Sequence, residues 1–419
     1  MTARDADVIV VGAGLCGLTS AVALARAGHR VLVCESGPVA GGRARTTGQD
    51  GYLLNFGPRA LYDGPLARLL RSLRLPVSGG TPTTGRAHAL YGGDLLPGYA
   101  SAPSLLRSRM LSVRDRAELA VLLGTGRPRS GLAGLSAADW LAGRLTTERA
   151  RLAAFALLRV STYAGCADHI SADSVATQLH LVRRGVRYVH GGWQSIVDAL
   201  RADALAHGAT LRTSAKVTAV ESGAVTLAGG EVLTAGAVVV AGLSPRQAAR
   251  VLDLPALAEP AGPELHTACL DVALSRLPQP GNTLVYGVDE PVYLAVHSGS
   301  ARIAPTGGAV LHLARYDDGR PTTAAAVRAG LEALLDRCQA GWRSVVVHQR
   351  FLPRMTTMWS LPTAVTGGLA ARPDVLLPDR PGVFLAGDWV GPSGLLADAA
   401  AGSALLAARA ARTVLVGNG

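Results

Sequence analysis

Lysine is nearly missing from this chain: Lys216 is the only one, and arginine supplies the rest of its 41 basic residues. The formal charge of +11 therefore reflects a preference for arginine as much as a binding surface. The arginines are scattered, and no nucleic-acid-binding module accompanies them, so nucleic acid is not an expected partner. The densest stretches, Arg68–Arg74 and Arg107–Arg116, read first as solvated helix faces. An anionic membrane surface or an acidic partner stays open for them. Cysteine is sparse: Cys16, Cys34, Cys166, Cys269 and Cys338 are odd in number and show no metal-site spacing. No histidine pair has zinc-helix spacing either. Neither a disulfide scaffold nor a bound metal is expected, and a reducing compartment fits. Cys16 and Cys34 read as small buried hydrophobes. No uninterrupted apolar run reaches membrane-spanning length, and no charged-then-apolar signal segment precedes the first strand. The expectation is a cytoplasmic protein, at most peripherally attached to a membrane. Internal repeats and low-complexity segments are absent. A chain of 419 residues has ample length for a large core and two domains.

What is present begins at Val8-Ile9-Val10-Val11-Gly12-Ala13-Gly14-Leu15-Cys16-Gly17. A run of β-branched residues reads as a buried parallel strand. Gly12 allows the tight turn, Gly14 lets backbone approach a pyrophosphate, and Gly17 lets the following helix lie close to the strand. Leu18, Ala21, Val22 and Ala25 share one helix face, and Gly28 stands where a C-cap is expected. Arg30–Cys34 forms a second strand with Glu35 at its end. A carboxylate there accepts hydrogen bonds from a ribose diol and repels a 2′-phosphate, which favours FAD or NAD over NADP. Gly41-Gly42-Arg43 follows, and its N–H groups and guanidinium suit a pyrophosphate.

Farther along, Tyr52–Asn55 reads as a short strand before Gly57-Pro58, and Pro65–Leu75 as an amphipathic helix. Pro76–Gly85 reads as a loop. Ala87–Leu96 is a hairpin through Gly92-Gly93. Ser104 to about Arg184 is helical, with Ser136 as an N-cap. A helix covers Ile196–Leu205, and strands cover Thr210–Ser214 and Lys216–Glu221. Gly223–Leu233 is a hairpin, and Ala237–Ala241 is a further buried strand. Cys269–Ser275, Leu284–Gly287, Val292–His297 and Val310–Arg315 form an antiparallel sheet, and Thr322–Cys338 is a helix. The strand Gly382–Ala386 ends at Gly387-Asp388, ahead of a long helix, Leu395–Leu415. A strand, a glycine turn and a helix N-terminus again favour negative charge.

The expected fold class is α/β: a discontinuous Rossmann-like FAD-binding domain with an inserted substrate domain of helices packed on an antiparallel sheet. Residues 1–85, 189–255 and 346–419 form the first domain, and residues 86–188 and 256–345 the second.

These motifs resemble a flavoprotein superfamily that includes phytoene desaturases, protoporphyrinogen oxidases and monoamine oxidases. The resemblance runs nearly end to end. It rests on the opening glycine unit with Glu35, Gly41-Gly42-Arg43, Asn55-Phe56-Gly57-Pro58, Gly191-Gly192, Lys216-Val217 and Ala386-Gly387-Asp388. It implies non-covalent FAD. Gly12, Gly14 and Gly17 would meet the pyrophosphate, Glu35 the adenosine ribose, and Gly42 and Arg43 the pyrophosphate region. Val217 would hold the adenine by its backbone. Gly57, Pro58 and Arg59 would lie near the isoalloxazine ring. Asp388, after Gly387, would contact the ribityl chain or a phosphate, and the backbone at Leu395 and Leu396 would face the pyrimidine edge. Three departures argue against simple amine oxidation and covalent flavin. No lysine is placed to serve near N5. The stretch Ser393–Asp398 has no aromatic residue, and no cysteine follows Cys338.

The chemistry this implies is hydride transfer from a lipophilic polyene or polycyclic substrate to flavin N5, in a desaturase or oxidase with oxygen or quinone as electron acceptor. Arg59 reads either as a site for an anionic substrate group or as a cover over the flavin. His190 reads either as a proton acceptor at the flavin edge or as a helix-entry histidine with a structural hydrogen bond. Tyr286, Tyr293 and His297 lie on strands expected to floor the pocket, while Trp193 and Trp389 read as core. The competing readings are a redox-neutral double-bond isomerase using reduced FAD, an amine oxidase, and a non-catalytic prenyl or lipid binder like the Rab-escort relatives of this fold.

Overall fold

The computed structural model describes residues 4–125, 131–260 and 262–417. The opening strand, Ala6–Val11, is flanked in parallel by Val31–Cys34 and by the second half of Val232–Ala241. Thr210–Arg212 extends the sheet beyond Val31–Cys34, and Val383–Ala386 joins on the far side of Val232–Ala241. Val8, Ile9 and Val10 have no exposure at all, as a strand covered on both faces requires. The helix Leu15–Ala25 follows at once. The terminal helix Leu396–Gly417 lies against it, with Cys16 Sγ and Ser20 Oγ each 3.3 Å from its carbonyls at Ala400 and Ala404. That helix is long and apolar enough to cross a membrane, but its alanine face, from Ala400 to Ala411, is buried in this core.

Val232–Ala241 is a single ten-residue strand, where the sequence suggested a hairpin arm and a separate strand. Its first residues pair antiparallel with Ala224–Leu227 and its later ones parallel with Ala6–Val11. Gly236, which carries no side chain, interrupts the apolar run and hides that continuity. A Cβ there would lie 2.5 Å from Leu415.

The second sheet has seven strands. Their order is Val346–Met358, Leu265–Leu274, Ala309–Tyr316, Val292–Val296, Leu284–Gly287, Ala87–Tyr91 and Asp94–Pro97. Every pairing is antiparallel except Leu284–Gly287 with Ala87–Tyr91, which is parallel. The helix Ala324–Cys338 shares a core with one face. The helices Ala102–Arg107, Val113–Thr125, Ala137–Ala142, Glu148–Thr162 and Ala172–Arg184 contribute to the core on the other. Ser136 caps its helix as expected, accepting from Asp139 N at 3.0 Å.

Two elements depart from the sequence reading. Val346–Met358, assigned there to the nucleotide domain, runs beside Leu265–Leu274 and belongs to the substrate sheet. Most of its residues are exposed or half-buried, so it lacks the apolar run of a buried strand. The second is Val186–Val189, given no element in the sequence reading, which pairs with Leu61–Tyr62 and with Gly79–Gly80 inside a stretch read as loop. This small sheet stands where the two large units meet.

Candidate functional site: a glycine-built cleft joined to a tyrosine-lined cavity

The turn after Ala6–Val11 is held by Gly12 N, which donates to Cys34 O at 2.7 Å. Gly12 has φ +98°, and a Cβ there would lie 2.6 Å from the Ala241 carbonyl. A Cβ on Gly17 would lie 1.8 Å from the Gly12 carbonyl, so the close helix-to-strand approach expected of that glycine is present. Gly14 differs. A Cβ there meets nothing within 4 Å, and one on Gly42 would lie 3.6 Å from the Gly14 Cα. Two glycine backbones thus lie close together, with open space beside Gly14, at the N-terminus of an eleven-residue helix with no acidic residue in its first turn. Unpaired N–H groups and the helix dipole make that space favourable for a diphosphate.

The cavity at this place has a volume of about 290 Å³, and Gly12, Gly14, Glu35, Gly42, Arg43, Pro58, Arg59, Asp388 and Leu396 line it. Glu35 is aimed by backbone: its carboxylate accepts from Ala13 N and Gly37 N, each at 2.7 Å. Arg43 and Asp388 form a two-pronged ion pair, both contacts at 3.0 Å. The Arg43 guanidinium also lies 5.1 Å from the centre of the Trp359 ring. Asp388 is thus engaged by Arg43 across the cleft. Leu396 takes the left-handed conformation, φ +57°, a strain that nonglycine residues rarely bear.

Other residues from the sequence reading stand behind the wall. A Cβ on Gly57 would lie 2.6 Å from Cys269 Sγ, and one on Gly387 2.9 Å from the Trp389 indole nitrogen. Leu395 is buried in the helical core. Val217 lies outside the cavity lining, at the start of a strand that begins two residues after Ala215, whose N–H binds the Glu35 carbonyl at 2.8 Å. His190 lines neither this cavity nor the next. Its Nδ1 accepts from Arg302 N at 3.1 Å, a structural hydrogen bond of the kind the helix-entry reading describes. Trp193 is core, but it also lines the cleft, as do Ser36, Gln247 and Asp398.

A second cavity, of about 460 Å³, adjoins the first. Six of the nine tyrosines in this aromatic-poor chain line it: Tyr62, Tyr163, Tyr188, Tyr286, Tyr293 and Tyr316. Leu123, Leu157, Leu158, Leu179 and Leu284 supply much of the remaining apolar wall. Tyr286, Tyr293 and His297 were expected there; Tyr62, Tyr163, Tyr188 and Tyr316 were not. Only the alternation around Tyr188 could have signalled one of them. Pro58, Arg59, Ala60, Tyr62 and Tyr163 line both cavities. The Tyr163 hydroxyl fixes this shared wall by donating to Pro58 O at 2.6 Å. Arg59 lies 5.8 Å from the Trp193 ring centre, and its Nε has no hydrogen-bond partner. Burial lowers its pKa from the ordinary arginine value. Asp398, at the start of the terminal helix, caps Leu66 N at 3.1 Å. Burial pushes its pKa up to about 7.

The defining pattern of the flavin containing amine oxidoreductases matches residues 15–412. The chain belongs to that family. An L-amino-acid oxidase from Echis ocellatus is 46% identical over 59 residues, 14% of this chain and 12% of that protein. The match therefore spans a small part of that relative's length. An oxidoreductase from Methanosarcina mazei superposes with a TM-score of 0.75 at 20% identity, covering 95% of this chain and 99% of its own. Cyclohexylamine oxidase from Brevibacterium oxydans IH-35A gives 0.67 at 20% identity, covering 99% of each chain. These likenesses establish the fold. Family and cleft together define an FAD-dependent oxidoreductase. The open space beside Gly14 and the backbone-aimed Glu35 carboxylate fit a dinucleotide. When bound, FAD supplies hydride acceptance at its N5.

Proposed function

We propose that the protein oxidises a lipophilic small molecule held in the tyrosine-lined cavity, with Arg59 and the Pro58–Ala60 segment at the boundary with the cofactor. The observation that carries this reading is the shared wall: one short stretch of chain lines both the dinucleotide cleft and the apolar cavity. A C–H bond of a ligand in the second cavity therefore comes up against the first. The cavity's apolar walls exclude water, and an oxidation whose product is conjugated needs little acid–base help from them. Polyene and polycyclic substrates suit such a space, with oxygen or quinone as the final acceptor.

Among the described residues no aspartate or glutamate lines the second cavity, whereas Arg59 and Arg183 do. A substrate ammonium would find no carboxylate partner there, which favours this reading over amine oxidation. A cytoplasmic location with peripheral membrane contact completes the proposal. Leu106, Val113 and Val121 are 67%, 75% and 64% exposed near Arg107, Arg109 and Arg114. Apolar residues among arginines suit an anionic bilayer surface.

The test is anaerobic titration of the purified yellow protein with polyenes, polycyclic lipids and amines. Bleaching of the flavin band by a lipid without added NAD supports the proposal. Bleaching by amines alone overturns it. Turnover with no acceptor consumed would instead establish the redox-neutral isomerase reading.

A further inference from the structure

The tyrosine-lined cavity contains a polar cluster that hydride removal does not require. Behind it, Asp271 stands opposite His312 on one neighbouring strand and Arg350 on the other. Asp271 is fully buried; it accepts from His312 Nδ1 at 2.6 Å and from Arg350 Nη2 at 2.7 Å. An ion-paired carboxylate at Nδ1 keeps that nitrogen protonated and fixes the ring's orientation. His312 in turn meets His297 edge-on, with ring centres 4.6 Å apart, while His297 stacks flat on Tyr188 at 3.8 Å.

His297 is 1% exposed, and its Nε2 has no hydrogen-bond partner. Burial and the neighbouring His312 hold its pKa well below the ordinary histidine value. A neutral imidazole offers one lone pair as an acceptor. Alongside it, the Tyr188 and Tyr293 hydroxyls are 2.9 Å apart. Two phenols sharing one hydrogen bond leave one O–H proton for a third partner. The same small area thus presents one acceptor and one donor inside an otherwise apolar space.

We infer that Tyr188, Tyr293 and His297 form a hydroxyl-recognition subsite, so that the cavity selects a lipophilic alcohol or phenol over the corresponding hydrocarbon. A hydroxyl both donates, to His297, and accepts, from the spare tyrosine proton. A ketone or ether can only accept. A neutral amine could do both, but amines are protonated near neutral pH, and among the described residues the cavity lining offers them no carboxylate. His312 and Asp271 are positioning residues: they set the ring against which His297 rests.

The inference rests on the lipophilic-substrate reading, and one experiment separates the two. The FAD-loaded protein is titrated with 1-pyrenemethanol and with 1-methylpyrene, binding being read from pyrene emission. The alcohol is expected to bind about five- to tenfold more tightly, the share of one or two neutral hydrogen bonds. His297→Phe keeps the flat stacking ring and should bring the two probes to parity, with methylpyrene affinity unchanged. Tyr293→Phe should reduce the preference without abolishing binding, and it serves as the second variant if His297→Phe loses flavin. Equal affinity for both probes in the unmodified protein overturns the subsite, as does a preference that survives both substitutions. Failure of both probes to bind overturns the lipophilic-substrate reading and the subsite together.

Discussion

The dinucleotide cleft and the tyrosine-lined cavity share a wall, yet they are made differently. The cleft is a backbone structure. Its shape comes from glycines whose missing side chains let strand, helix and loop come together, and its charges are aimed by main-chain N–H groups at Glu35. The cavity is a side-chain structure. Its tyrosines come from widely separated segments, and their rings hold one another in edge-on pairs such as Tyr163 with Tyr316, centres 5.8 Å apart. Steric substitutions should therefore be severe in the cleft, while in the cavity they should change what binds before they change whether the protein folds.

The largest effect is expected at Gly17. Gly17→Ala puts a methyl group against the Gly12 carbonyl, and relieving that overlap should cost about 3 kcal/mol. The melting temperature should drop sharply, with flavin lost. Gly14→Ala is the sharpening control, because its Cβ enters open space. Flavin affinity should fall while the apoprotein melts as before. Equal melting losses in the two variants would break the distinction between packing and ligand-facing glycines.

Glu35→Gln comes next. Losing charged hydrogen bonds to a ribose diol should weaken FAD binding about tenfold to a hundredfold, measured by fluorescence titration of the apoprotein. An unchanged affinity would show that Glu35 serves only Ala13 and Gly37.

Asp398 gives a smaller effect that depends on pH. Its folded pKa of about 7 lies above the ordinary value of 3.8. The folded state therefore keeps a proton that the unfolded chain has released, and stability falls as pH rises between those two values. Asp398→Asn removes that slope and keeps an oxygen to cap Leu66. The variant should gain on the parent in melting temperature from pH 5 to pH 8. A constant difference across that range would contradict the assignment. His190→Ala should do least: the loss of one hydrogen bond from Arg302 costs about 1 kcal/mol, with ligand-induced flavin spectra unchanged. Altered spectra would return His190 to the site.

The difference between the two cavities also explains how legible each was. Gly12, Gly14 and Gly17 lie within six consecutive residues, and Glu35 follows at the end of the next strand, so local spacing carries the physical requirement. The family pattern over residues 15–412 agrees with the FAD cofactor that this spacing implies. His190 shows the limit of such spacing: adjacency to Gly191-Gly192 in the chain does not place it in the lining of either cavity. Val346–Met358 was misplaced because an edge strand with few buried residues lacks the apolar run that marks strands such as Val8–Val11. Tyr62, Tyr163, Tyr188 and Tyr316 could not be gathered from sequence, since each belongs to a different element.

By itself the sequence determined the cofactor unit and the α/β class, because a tight turn, a close helix approach and a strand-end carboxylate are short-range demands that particular residues meet one by one. Only the tertiary structure decided that tyrosines from distant segments enclose one space beside that unit, and that Asp271, His312 and Arg350 fall opposite one another. Strand register and domain packing set those distances, and both arise from burial summed over the whole chain rather than from any local stretch of it.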